Sequence, residues 1–74
     1  MSYTSNIGKV IKEYRESKAL SQEILSGLAG IGRTHLSAIE RGERKPTLDT
    51  FFKISQALEV RPSDLLRAIE DKIR

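Results

Sequence analysis

The chain has 74 residues, 38% hydrophobic and 31% charged, the balance of a soluble globular protein with room for a single domain over residues 1–74. It has no cysteine, which excludes disulfides and thiolate metal sites and suits a reducing cytoplasm. Thirteen Lys+Arg against ten Asp+Glu leave a charge of +3, which permits nucleic-acid binding without requiring it, and neither a bilayer-length apolar run nor a secretory N-terminus is present.

Every periodic stretch reads as helix. Ile7, Val10, Ile11 and Tyr14 recur at three and four residues and give the first helix one apolar face. Lys18-Ala19-Leu20 ends it, and Ser21 is a good N-cap for the next. Ile24, Leu25 and Leu28 give the second helix its expected buried side, and Gly30 and Gly32 keep it short. A third helix is expected from about Arg33 to Arg41, with Leu36 and Ile39 inward and Gly42 just past its end. Glu43-Arg44-Lys45-Pro46 forms a charged loop, since proline cannot continue a helix. Thr47 then caps a fourth helix with apolar positions Leu48, Phe51, Phe52, Ile54, Ala57 and Leu58. Pro62 opens a fifth, about 62–74, with a stripe of Leu65, Leu66, Ile69 and Ile73. The fold class is all-α, a compact bundle of five short helices.

The basic excess is uneven. Residues 9–18 and 33–45 each sum to +2, whereas 59–74 sum to zero. The informative segment is Leu20 to Pro46: a short helix, a glycine turn and a second short helix, a helix-turn-helix over about 21–41 whose second helix can enter the major groove. Leu20-Ser21-Gln22-Glu23, Ala29-Gly30-Ile31, the run from Arg33 to Gly42 and Pro46-Thr47-Leu48 closely resemble the Cro/cI-like (Xre-type) helix-turn-helix regulators. The likeness continues through Ala57-Leu58 and Pro62-Ser63-Asp64-Leu65 and so covers roughly residues 7 to 66.

That resemblance implies a lambda-repressor-like DNA-binding domain, similar to small stand-alone members such as restriction–modification controllers, phage repressors and antitoxins. It puts Arg33, Thr34, Ser37 and Ala38 at base edges, where Arg33 can grip guanine O6 and N7 in bidentate fashion. It puts Gln22, Arg41, Arg44 and Lys45 at the DNA backbone, and His35 either at phosphate or at the packed edge of the helix. It pairs Arg15 with Glu40 as a structural ion pair orienting the recognition helix. Family members of this length commonly dimerise through the last helix, so Leu66, Ile69 and Ile73 are expected at a homodimer interface. Three departures stand out: Gly27 inside the second helix, apolar Ile24 and Leu28 where the family is commonly polar, and Gly32 in place of a Ser or Thr cap.

The leading expectation is a sequence-specific transcriptional regulator, bound to double-stranded DNA as a homodimer on an inverted repeat. It would be cytoplasmic and nucleoid-associated when bound, with polymerase or a toxin as a further protein partner. The alternative is a protein-interaction module on the same fold, antitoxin-like, with Ile24 and Leu28 as its footprint if they face outward. An enzyme is not expected. One histidine, no cysteine, no nucleotide-binding glycine loop and no acid–base pair leave nothing for catalysis, metal or cofactor.

Overall fold

The computed structural model describes residues 3–74, which form α1 (Tyr3–Ser17), α2 (Gln22–Ala29), α3 (Arg33–Glu40), α4 (Leu48–Ala57) and α5 (Pro62–Ile73). No strand occurs among the described residues. The caps explain the boundaries. Ser21 accepts from the Ile24 N–H and Thr47 from the Thr50 N–H, each satisfying one orphan donor of the following helix. Gly30 ends α2 in the left-handed region at φ 71°, and Gly42 follows α3 at φ 77°. Ala19 (φ 58°) and Glu59 (φ 59°) adopt the same conformation after α1 and α4, with the Cβ strain that glycine avoids.

Each helix sends at least two apolar residues into one core: Val10 and Ile11, Leu25 and Ala29, Leu36 and Ile39, Phe51 and Ile54, Leu65 and Ile69. Leu58, just past α4, completes it. α1 packs on α3 and α5, α2 on α3 and α4, and α4 on α5, so α3 is braced from two sides. The brace from α1 is unusually close. A Cβ on Gly8 would stand 2.2 Å from the Ile39 carbonyl oxygen and 2.7 Å from that of Glu40. Only a glycine lets the two backbones approach this far.

Several expected burials are corrected. α2 buries Leu25, Ser26 and Ala29, while Ile24 and Leu28 are 52% and 63% exposed. At 100° per residue the apolar trio spans one arc, but the core meets the helix further round, on the side of Ser26 and Ala29. Ser26 is tolerated there because its hydroxyl donates to the Glu23 carbonyl at 3.1 Å. Leu48 and Phe52 on α4 also face outward rather than into the core, and Leu66 on α5, expected on the surface of the single chain, is exposed. Ile69, by contrast, is 4% exposed and belongs to the core of its own chain, which leaves Leu66 and the half-buried Ile73 as the open members of the stripe.

Candidate nucleic-acid interface

Helix geometry sorts α3 into two faces. Leu36, Ile39 and Glu40 point inward and are buried. Thr34, Ser37 and Ala38 fall on the opposite arc, and Arg33 lies at its edge in the first turn, one turn before Ser37; Arg33 and Thr34 are exposed, and Ser37 and Ala38 are half-buried. His35 lies between the two faces and is half-buried, at the edge of the helix. The helix starts without a side-chain cap, because Gly32 has only its backbone carbonyl to offer, taken by the Leu36 N–H at 3.0 Å. The N-terminal turn of α3 is therefore uncluttered, with Arg33 and Thr34 at its tip.

Glu40 anchors the inner face. Its carboxylate accepts from Arg15 Nε at 2.7 Å and Nη2 at 3.0 Å, a bidentate pair with side chains only 10% and 2% exposed. The hydrogen bond to Glu40 raises the Arg15 pKa above the ordinary arginine value, against the opposing pull of burial. Arg15 Nη1 donates to the Leu20 carbonyl at 2.8 Å, tying down the α1–α2 loop. Gln22 Nε2 donates to Glu40 Oε1 at 3.0 Å. One carboxylate thus joins α1, the start of α2 and the end of α3. The expected Arg15–Glu40 pair is present, and Gln22 proves to be its third member. One N–H of the Gln22 amide is thus used within the protein, and the residue as a whole is half-buried at the start of α2.

The loop after α3 is held by its own backbone. Glu43 and Arg44 N–H groups both turn back to the Ala38 carbonyl, at 2.9 and 3.3 Å, and the Gly42 N–H reaches the Ile39 carbonyl at 3.0 Å. Arg44 and Lys45 project from it, exposed. Arg41 is more constrained than the sequence suggests. Its guanidinium donates to both Glu43 oxygens at 3.0 Å and to the Ser37 hydroxyl. The same bonds raise the Arg41 pKa and lower that of Glu43, first through the hydrogen bonds and then through the charges. Arg41 lies on the same arc as Ser37, one turn further on, and links the α3 face to the loop.

Hydrogen bonds thus tie α3 to the start of α2 through Gln22 and Glu40, and to the basic loop through Arg41. Among the described residues no cluster of metal-ligating side chains occurs, and no helix is long and apolar enough to cross a membrane.

A second surface lies elsewhere. Tyr3 and Ile7 on α1, Leu48, Phe51 and Phe52 on α4, and Leu66, Ile69 and Ile73 on α5 line an open apolar groove of about 750 Å³. Tyr3, Leu48, Phe52 and Leu66 are 67%, 69%, 49% and 58% exposed there. This groove is broader than the α5 stripe named from the sequence, since five of its twelve lining residues come from α1 and α4.

Comparison with known proteins matches a helix-turn-helix family profile to residues 11–65. Control protein C.BamHI of Bacillus amyloliquefaciens is 46% identical over 68 residues, covering 85% of this chain and 84% of that one. Control protein C.SmaI of Serratia marcescens is 38% identical over 56 residues, 76% of this chain and 67% of that protein. Among solved structures, the restriction-modification controller protein C.AhdI from Aeromonas hydrophila superposes with a TM-score of 0.82, at 35% identity over 84% of this chain and 94% of its own. The controller protein C.Esp1396I, as a tetramer in complex with its natural 35 base-pair operator, superposes at 0.91, with 30% identity over 99% and 96%.

Proposed function

This chain belongs to the Xre-type helix-turn-helix family of transcriptional regulators, and from that premise we propose that it is a sequence-specific DNA-binding regulator that acts as a homodimer on an inverted-repeat operator. The observation that carries the proposal is the outward row of α3, with Arg33 and Thr34 exposed at its uncapped start and its inner face locked through Glu40. An α-helix fits the major groove, about 12 Å wide. There Arg33 reads guanine, Thr34 reads a base edge or a thymine methyl, and Ser37 and Ala38 meet the bases one turn on. The α2 N-terminus with Gln22, and the loop with Arg44 and Lys45, hold phosphates on either side; Arg41 joins them when it exchanges Glu43 for phosphate.

The apolar groove between α1, α4 and α5 is the dimer face, with Leu66 at its rim and Ile73 beside it. Two copies would set their α3 helices about 34 Å apart, in successive major grooves. By likeness to C.Esp1396I, whose tetramer sits on a 35 base-pair operator, two such dimers fill a tandem site. The protein works in the cytoplasm, associated with the nucleoid when bound. Its relatives are control proteins and transcriptional regulators, so neither an enzymatic reading nor a toxin-binding module is favoured.

Selection from a random duplex library, followed by titration of the winning sequence at two salt concentrations, tests the proposal. Enrichment of an inverted repeat with a steep salt slope is expected. Weak salt-sensitive binding with no enriched sequence would overturn it.

A further inference from the structure

Ser17, Ser26 and Ser55 donate their hydroxyl hydrogens to a carbonyl three or four residues back in the same helix, at 2.8, 3.1 and 2.9 Å. Ser37, on the outward arc of α3, is arranged the other way. Its hydroxyl accepts from Arg41 Nη1, four residues on. A guanidinium carries donors and no acceptor, so at this bond the serine oxygen can only receive. No group among the described residues takes the Ser37 hydrogen in return. The guanidinium is itself held: Nε and Nη2 donate to the two Glu43 oxygens, each at 3.0 Å, which aims Nη1 at Ser37. Glu43 reaches back because Gly42 reverses the chain at φ 77° and the Glu43 N–H ties to the Ala38 carbonyl at 2.9 Å. α1 pins this turn, since a Cβ on Gly42 would stand 3.0 Å from the Ser5 Cα.

We propose that Ser37 reads its base as a hydrogen-bond donor, with Arg41 as the positioning residue that sets this polarity. The base it faces then offers an acceptor, which is a purine N7, guanine O6 or thymine O4, and cytosine with its amino group is rejected. This rests on the operator-binding reading above. Two effects give the polarity. A base amino group donating to the second lone pair of Ser37 would leave the hydroxyl hydrogen without an acceptor in a closed groove, and an unmade bond there is costly. The cationic guanidinium beside the oxygen also repels an amino hydrogen and strengthens the O–H as a donor, as successive hydrogen bonds polarise one another. On DNA, a phosphate that replaces Glu43 at Nε and Nη2 leaves Nη1 on Ser37, so the relay then runs from backbone to base. In the free chain Glu43 holds that place and keeps Ser37 set before DNA arrives. A contact to the backbone thereby acts on sequence choice, which phosphate contacts alone do not.

The test repeats the random-duplex selection with Arg41→Lys, Ser37→Ala and the double variant, followed by salt titration of each. Arg41 is 54% exposed, so its replacement should spare the fold, and thermal melts check this. Lysine keeps the charge but is a point donor that cannot grip an anion with two nitrogens while a third holds Ser37. The wild type is expected to disfavour cytosine about fivefold at one position of each half-site. Ser37→Ala and Arg41→Lys should each remove that bias at the same position, and the double variant should do no more than either. Arg41→Lys should keep the salt slope of the wild type, because the charge remains. A cytosine bias that survives Arg41→Lys, or no position in the wild type whose bias depends on Ser37, overturns the proposal. A uniform loss of affinity in Arg41→Lys with every base preference intact also overturns it and leaves Arg41 as a phosphate contact only. No enriched sequence with the wild type is a different result: it overturns the operator-binding reading itself.

Discussion

At the scale of single residues, Glu40 does the most. It is buried, and it is the shared acceptor for Arg15 and Gln22. Removing it strands the Arg15 guanidinium in a site with little water, and breaking a buried pair from one side costs about 3–5 kcal/mol. Glu40→Ala is therefore expected to lower the urea midpoint by most of the stability of a domain this size, while Arg15→Met with Glu40→Leu restores much of it. DNA affinity should stay low in that double variant, because Gln22 has lost its anchor. On the exposed face, Arg33→Ala should cut specific affinity by about 1–3 kcal/mol and relax choice at one base pair. Lys45→Ala should weaken binding to all sequences alike and make the salt slope shallower by about one unit. Operator-library selection and salt titration separate the two. An unchanged base preference in Arg33→Ala would refute the recognition assignment.

At the scale of elements, two glycines inside helices behave in opposite ways. Gly8 is where α1 touches the end of α3, and a methyl there meets backbone oxygens that no side-chain movement can clear. Gly8→Ala should destabilise by about 3 kcal/mol and tilt α3 away from α1, lowering DNA affinity as well. Gly27, on the exposed side of α2, has no atom within 4 Å of the same methyl. Gly27→Ala should stabilise by about 0.5–1 kcal/mol, raising Tm by about 4 °C with DNA binding unchanged. Thermal melts of the two variants check both. The contrast follows from packing: an interior glycine weakens a helix in proportion to entropy alone, unless a neighbouring backbone needs the space.

At the scale of the whole molecule, a chain of 74 residues leaves Tyr3, Leu48, Phe52 and Leu66 uncovered along one groove. Leu66→Lys is expected to leave the fold of the single chain intact, since Leu66 is 58% exposed. It should weaken self-association at least tenfold by sedimentation and abolish the preference for paired half-sites over single ones. Ile69→Lys would instead unfold the chain, because that side chain sits in its own core. A Leu66→Lys variant that sediments as the wild type does would move the dimer face elsewhere.

The helices and their ends follow from local signals along the chain. Period, caps and breakers act within a few residues, so Ser21, Thr47, Gly42 and Pro62 could be read without knowing any partner. The sequence also marked the outward row of α3, because two inward apolar residues fix a helix's other face, and the family likeness supplied the Arg15–Glu40 pair. Tertiary structure decided what depends on which surface meets which. It turned α2 so that Ser26 and Ala29 face the core in place of Ile24 and Leu28. It put Ile69 inside and Leu66 outside, added Gln22 to the buried pair, and made Gly8 a point of backbone contact. A side chain's local pattern reports the needs of its own helix; burial and partnership are set by neighbours distant in the chain, and no local signal carries them.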